Sequence, residues 1–239
     1  MFKVLDLANV DNPNSLSNRF RSRRFRLFES LVKEVPRPIR ILDVGGTNSF
    51  WEQRGWAGRD DVQITLLNVI LQDRRHRNIT PLTGSATDLS LFDTGSFDIV
   101  FSNSVIEHLF TFENQRRMGM EIRRVAKAYW VQTPNFWFPM EPHFHIPGWQ
   151  WMPLDMRVAI LRKRRCGWIG PCPDASRARQ HVAEVRLMTA HELQDIFPGA
   201  QLVAERFGML IKSWIVIYGF SDTNERCDQA FENCDVRLV

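Results

Sequence analysis

Four side chains in two short segments carry the most chemistry in this sequence. His108 follows Glu107 in Ser104-Val105-Ile106-Glu107-His108, and His143 alternates with His145 in Pro142-His143-Phe144-His145. Histidine titrates nearest neutrality, so His108, His143 and His145 are each candidates to take a proton from a reacting hydroxyl. Glu107, His108 and His143 together also form a nitrogen and oxygen donor set suited to a divalent metal ion. The plain alternative for Glu107 and His108 is local hydrogen bonding that shapes a pocket.

A second group suits a nucleoside. Asp43-Val44-Gly45-Gly46-Thr47 ends an apolar run in a turn poor in side chains, where backbone N–H groups can approach a ligand closely. Asn68, at the end of the next apolar run, offers a carbonyl oxygen to ribose hydroxyls where a carboxylate is usual. In Gly84-Ser85-Ala86-Thr87-Asp88-Leu89 the carboxylate of Asp88 can accept from an adenine amino group, or serve only as a turn residue.

These groups need a scaffold that brings strand ends together. Apolar or β-branched runs at 39–44, 62–69, 97–102, 129–132, 201–204 and 214–218 read as strands, with helical patterns between the earlier ones. That alternation predicts a mostly parallel sheet. The last two runs are joined by Glu205 to Ser213 alone, too short for a crossover helix, which predicts an antiparallel hairpin. Thr189-Ala190-His191-Glu192 reads as a capping box opening a helix to Phe197, which Pro198-Gly199 stops. After Asp11-Asn12-Pro13-Asn14, the spacing of Leu16, Phe20, Phe25, Phe28, Leu31 and Val32 predicts an amphipathic leading helix rich in arginine.

The order Ile-Leu-Asp-Val-Gly-Gly, Gly-Ser-Ala-Thr-Asp and Phe-Asp-Ile-Val-Phe-Ser-Asn-Ser-Val-Ile-Glu-His resembles the class I S-adenosylmethionine-dependent methyltransferases, particularly the small-molecule group called type 11. The likeness is strong over residues 39–133. It implies an α/β, Rossmann-like fold: a seven-stranded, mostly parallel sheet with a C-terminal antiparallel hairpin and a lid inserted after strand five. It also implies S-adenosylmethionine as cofactor. Asp43, Gly45 and Gly46 would border its methionine moiety, Asn68 its ribose, Ala86, Thr87, Asp88 and Leu89 its adenine, and Asn103 and Ser104 its methionyl end. The sequence departs from the family's Gly-x-Gly-x-Gly at Thr47 and Ser49. A dinucleotide-binding dehydrogenase would need those later glycines and an acid on strand two, and has neither. One arginine among Arg19, Arg21, Arg23 and Arg24 is a candidate partner for the cofactor carboxylate, against the simpler reading of a solvated face. The Glu107-His108 pair also resembles part of the Glu-x-x-Glu-His metal motif of the small-RNA 2′-O-methyltransferases, with Ser104 at the first glutamate's place.

The expected organisation is one domain over 1–239, with a helical cap at 1–38 and a lid or acceptor insertion at 134–188. That insertion is dense in aromatics from Phe136 to Trp151, and Arg162-Lys163-Arg164-Arg165 follows. Such aromatics suit a pocket cover or a sugar platform, and with the basic run they also suit peripheral membrane contact; core packing is the alternative. A formal charge of +4 over 239 residues permits nucleic-acid binding without arguing for it. The first residues lack the apolar core of a signal peptide and no apolar run reaches spanning length, so a cytoplasmic protein is expected. Cys166, Cys172, Cys227 and Cys234 lack zinc-site spacing and are expected as free thiols. Three functions follow: O-methylation of a small hydroxylated molecule such as a sugar or lipid-linked glycan, with His143 as base; metal-assisted methylation of RNA; or cofactor binding without catalysis.

Overall fold

The computed structural model describes residues 16–221 and 237–238; the turn at 11–14, Cys227 and Cys234 lie outside them. The leading helix α1 spans Leu16–Leu31. The sheet strands are β1 Ile39–Val44, β2 Val62–Asn68, β3 Ile79–Thr83, β4 Phe97–Asn103, β5 Ala126–Pro134, β6 Gln201–Phe207, β7 Leu210–Tyr218 and β8 Arg237–Leu238. Their spatial order is β3-β2-β1-β4-β5-β7-β6-β8. The five strands from β3 to β5 pair parallel, and β7 pairs antiparallel with both β5 and β6. The expected hairpin is therefore present, turning at Gly208 and Met209. The sheet has seven principal strands, as the resemblance implies, and the two-residue β8 on β6 is an eighth.

Side chains alternate between two packed faces, as a period of two requires. Ile39 and Ile41 join a cluster with Phe25, Phe28, Trp51, Trp56, Phe101 and Trp130. Leu42 and Val44 face the other way, into a cluster with Met118, Ile122, Leu193 and Phe197. The first face is covered by α1 and by the short helix α2, Asn48–Gln53. The second is covered by α3, Phe112–Val125, and α6, Ala190–Ile196. Thr189 and Glu192 form the expected reciprocal cap of α6, the hydroxyl accepting from the Glu192 N–H and the carboxylate from the Thr189 N–H.

Two expectations about the sheet need correction. Strand β3 does not stand out in the sequence because Pro81 sits in its middle. Proline cannot donate to a ladder and is confined to edges, and β3 is the edge strand. Nor do helices alternate with every early strand, since no helix lies between β2 and β3 or between β3 and β4. Those connections are loops, and the exposed Val69, Ile70 and Leu71 belong to one of them.

Residues 135–188 fold around a core of their own. Helices α4, Leu154–Lys163, and α5, Ala175–Ala183, pack with Phe144, Trp149, Cys166 and Cys172. Both of these cysteines are buried free thiols. The insertion rejoins the sheet where the Phe136 N–H donates to the Met188 carbonyl at 3.0 Å.

Helix α1 is tied to the hairpin by a buried charge cluster. Glu205 Oε2 accepts from the Arg24 guanidinium at 2.8 Å, from the Ser213 hydroxyl at 2.7 Å and from Lys212 Nζ at 3.5 Å. Lys212 also lies 4.0 Å from the centroid of the Phe20 ring. Burial raises the Glu205 carboxyl, but the charges of Arg24 and Lys212 outweigh it and leave the pKa below the usual range. Arg24 is thereby removed from the arginines expected to meet a cofactor carboxylate. Replacing Glu205 with Leu would strand two cations and should lower the unfolding free energy by about 3–5 kcal/mol. Urea denaturation checks this, and a loss below about 1 kcal/mol would contradict it.

Candidate functional site

Strand β1 delivers the chain into the turn at Gly45-Gly46, and both glycines are required there. Gly45 has φ +81°, and a Cβ on it would lie 2.4 Å from Val105 Cγ2. A Cβ on Gly46 would lie 1.7 Å from Asp43 Oδ2, so the Asp43 carboxylate packs directly against the Gly46 α-carbon. Thr47 has extended backbone angles, φ −134° and ψ 151°, which any residue adopts. The family's second glycine can therefore be lost here without changing the turn's path.

The carboxylate of Asp43 is buried and accepts from Trp51 Nε1 at 2.7 Å. Burial pushes its pKa up to about 7, against the lowering effect of the Trp51 hydrogen bond. Asn68 donates its amide to the carbonyls of Gly46, at 3.1 Å, and Gly45, at 3.4 Å, while its own oxygen accepts from the Ile70 N–H at 3.4 Å. A carboxylate at this position would face two carbonyl oxygens without a proton to offer, which is a physical reason for the amide. Gln72 closes the same loop by donating to Gly46 O and accepting from the Asn48 N–H at the start of α2.

The segment after β3 divides into two roles. Asp88 is exposed and its Oδ1 accepts from the Ser90 N–H at 3.0 Å, an Asx-turn that holds its pKa low. Thr87 and Ala86 are half-buried beside it. Leu89 does not fit the expected ligand-flanking role. Its side chain is buried among residues packed under α3, its N–H donates to Glu121 and its carbonyl accepts from Arg124.

At the end of β4, Asn103 is half-buried and Ser104 adopts the left-handed region at φ 59°. Ser104 is held there by hydrogen bonds to Gln132, its N–H to the carbonyl and its hydroxyl to the side chain, both at 2.9 Å. The turn Ile106–His108 follows at once.

That turn meets the insertion in a cluster of three potential ligands. One donor atom from each of Glu107, His108 and His143 lies within 4.8 Å of the others, and the two imidazoles stand edge to face at 4.8 Å between centroids. Glu107 is fully buried; its Oε2 accepts from Thr133 Oγ1 at 3.0 Å, and its Oε1 has no hydrogen-bond partner. Burial raises the Glu107 pKa, partly offset by the neighbouring His143. Burial likewise lowers His108 to about 4, so it is a neutral imidazole near neutral pH.

His143 is the exception among the three histidines, because of Glu141. That buried carboxylate lies 2.6 Å from His143 Nδ1 and accepts from the backbone N–H groups of His143 and Phe144. Burial alone would lower His143, but the hydrogen bond and charge of Glu141, with Glu107 and Glu184, raise it above its ordinary value. Glu141 went unmarked in the sequence, although Glu141-Pro142-His143 sets it two residues from its partner. His145 is not part of the cluster: it packs edge-on against Trp168, 5.5 Å between centroids, and burial lowers its pKa.

Residues 60–128 match a family model described as a methyltransferase domain. The matched stretch runs from β2 into β5 of the Rossmann-like sheet described above. An uncharacterized protein of Mycobacterium tuberculosis, Rv1509, is 37% identical over 62 residues, covering 26% of this chain. The aligned stretch spans 21% of that relative's length. Among solved structures, the PH0226 protein of Pyrococcus horikoshii has a TM-score of 0.48 at 18% identity, over 87% of this chain and 92% of its own. A SAM-dependent methyltransferase of Aquifex aeolicus has a TM-score of 0.47 at 12% identity, over 81% and 87%. Among the described residues no helix is long and apolar enough to cross a membrane.

The buried Asp43 makes stability depend on pH. Its folded pKa is raised from 3.8 to about 7, so the folded protein holds the proton more tightly than the unfolded chain. Its stabilising contribution is complete below 3.8 and is lost as pH rises through about 7. Asp43→Asn should remove that loss, up to about 4 kcal/mol at roughly 1.4 kcal/mol per unit, and flatten the ligand-free melting profile over this window. Parallel profiles for the two proteins would contradict the assignment.

Proposed function

We propose that this chain transfers the methyl group of S-adenosylmethionine to a hydroxyl oxygen of a small acceptor such as a sugar or a lipid-linked glycan. The observation that carries the reading is the His143–Glu141 pair, which lies beside the ends of β4 and β5, at the same end of the sheet as the Gly45-Gly46 turn. The cofactor residues on this reading are Asp43, Gly45, Gly46, Asn68, Ala86, Thr87, Asp88, Asn103 and Ser104. On this reading the cofactor meets the backbone of a turn whose path is fixed by the packing of Val105 and Asp43 against its glycines.

When bound, the cofactor supplies an electrophilic methyl on a sulfonium, a good leaving group. The protein must align the acceptor oxygen in line with the breaking carbon–sulfur bond, exclude water and accept the hydroxyl proton. Glu141 accepts from Nδ1 and so leaves Nε2 of His143 as the base, raising its affinity for the proton. With the acceptor so aligned, the proton released from its hydroxyl would pass to Nε2 of His143. His143→Ala should lower turnover by on the order of a hundredfold while the cofactor's calorimetric affinity stays nearly unchanged. Unaltered turnover would remove His143 from the mechanism. Tight binding with no transfer to any of a broad set of acceptors would favour a protein that binds the cofactor without catalysis.

A second reading is favoured by one observation, the unpartnered and fully buried Glu107 Oε1 next to His108 and His143. With a divalent ion on these three residues, Glu141 would orient the His143 ligand from behind, and the ion would polarise the acceptor hydroxyl, including a ribose 2′-hydroxyl of RNA. Calorimetric titration of the chelator-treated protein with manganese or zinc should then show one site, weakened at least about tenfold by Glu107→Gln. Activity indifferent to chelation, with no such site, leaves the first reading.

A further inference from the structure

The exposed aromatic residues and the excess positive charge fall in the same part of this molecule. Between residues 135 and 186 there are eight arginines and lysines against four carboxylates, so the whole formal excess of +4 is located in the insertion. Of the described tryptophans, Trp51, Trp56, Trp130, Trp149 and Trp214 are buried, whereas Trp137, Trp151 and Trp168, all in the insertion, are 63%, 47% and 50% exposed. A tryptophan is seldom left this open without a partner for its ring.

The exposed apolar surface runs across from the insertion to the β6–β7 hairpin. Trp137 and Trp151 are 6.4 Å apart between ring centroids, and the Trp151 indole N–H donates to the Phe136 carbonyl, leaving its ring outward. Trp137 shares a groove of about 410 Å³ with Met209, Leu210 and Arg206. Met209, at the hairpin tip, is 93% exposed, and Phe207 and Leu210 on either side are each about half exposed. The Arg206 guanidinium donates to the Met209 carbonyl and so holds a positive charge beside the tip.

We infer that this face, built from Trp137, Trp151, Phe207, Met209 and Leu210 with Arg206 beside the tip, on a chain whose net positive charge falls in the insertion, docks on an anionic lipid bilayer. Indole rings, apolar with one polar N–H, suit the boundary between acyl chains and headgroups, and aliphatic tips can enter the acyl region beside them. Lysines and arginines near the surface add attraction to acidic headgroups. RNA would use the positive charge and the rings, but it offers nothing for Met209 and Leu210 to enter. The inference is independent of the proposed methyl transfer, because it rests on the outer surface and not on the cleft.

The test is flotation of the full chain with vesicles of phosphatidylcholine, with and without phosphatidylglycerol. The protein should float with the anionic vesicles and only weakly with the neutral ones, and added salt should reduce binding without abolishing it. Met209→Asp and Trp137→Ser alter exposed side chains, so their melting temperatures and stabilisation by S-adenosylmethionine should match the parent, while vesicle binding falls about tenfold or more. Failure to float with anionic vesicles, or equal flotation of both variants, overturns the inference. Binding to single-stranded RNA that Met209→Asp leaves intact, with no flotation, would assign the face to nucleic acid instead. Self-association lost in Met209→Asp, again without flotation, would assign it to a second copy of the chain.

Discussion

The geometry of the candidate cofactor turn depends on one buried hydrogen bond, from Trp51 Nε1 to Asp43. Asp43 lies on the same face of β1 as Ile39 and Ile41, so it points into an aromatic cluster and not toward water. A carboxylate in that position is costly unless it is paired or protonated. The indole donor supplies one partner, and the carboxylate in turn fills the space against which Gly46 must lie. The turn therefore has a floor, and neither glycine can be replaced without displacing either Val105 or Asp43.

The remaining parts of the site are attached to that floor by polar contacts between loops. Asn68 and Gln72 hold the glycine carbonyls from the β2 side. Gln132 holds Ser104 in its left-handed conformation from the β5 side. Thr133, one residue further along β5, reaches Glu107, and Glu141 reaches His143 across the start of the insertion. These groups sit at or just beyond the carboxyl ends of β1, β2, β4 or β5, where the parallel strands leave open loops.

Much of this was legible in the sequence, and the failures have identifiable causes. The succession of strand and helix patterns and the brevity of 205–213 point to a mostly parallel sheet closed by a hairpin, because both constrain how the chain can connect. Thr189 and Glu192 announce their helix because a cap is local. Strand β3 escaped because Pro81 carries the signal of a turn, and only its edge position makes that proline tolerable. Leu89 looked like part of a ligand segment, but its neighbours on α3 lie about thirty residues away, as its hydrogen bonds to Glu121 and Arg124 show. Arg24 looked like one of several interchangeable helix arginines until Glu205, 181 residues distant, singled it out. Glu141 has the same character, since nothing in a Glu-Pro-His tripeptide says that the carboxylate is buried and turned back on the imidazole.

The two ends of the insertion are fastened to different partners. Its exit is stitched to the turn that bears Glu107 and His108: the Arg186 N–H donates to the Glu107 carbonyl at 2.8 Å, and Gln115 donates to the carbonyls of both Ile106 and Arg186. Its entry, from Phe136 to Gly148, is fastened through loop carbonyls and carries His143. Entry and exit are also joined to each other, because the Phe136 N–H donates to the Met188 carbonyl, so the insertion is a loop closed at its base. Glu141 and His143 lie two residues apart on its entry arm, so the imidazole and the carboxylate that orients it belong to one short segment of chain.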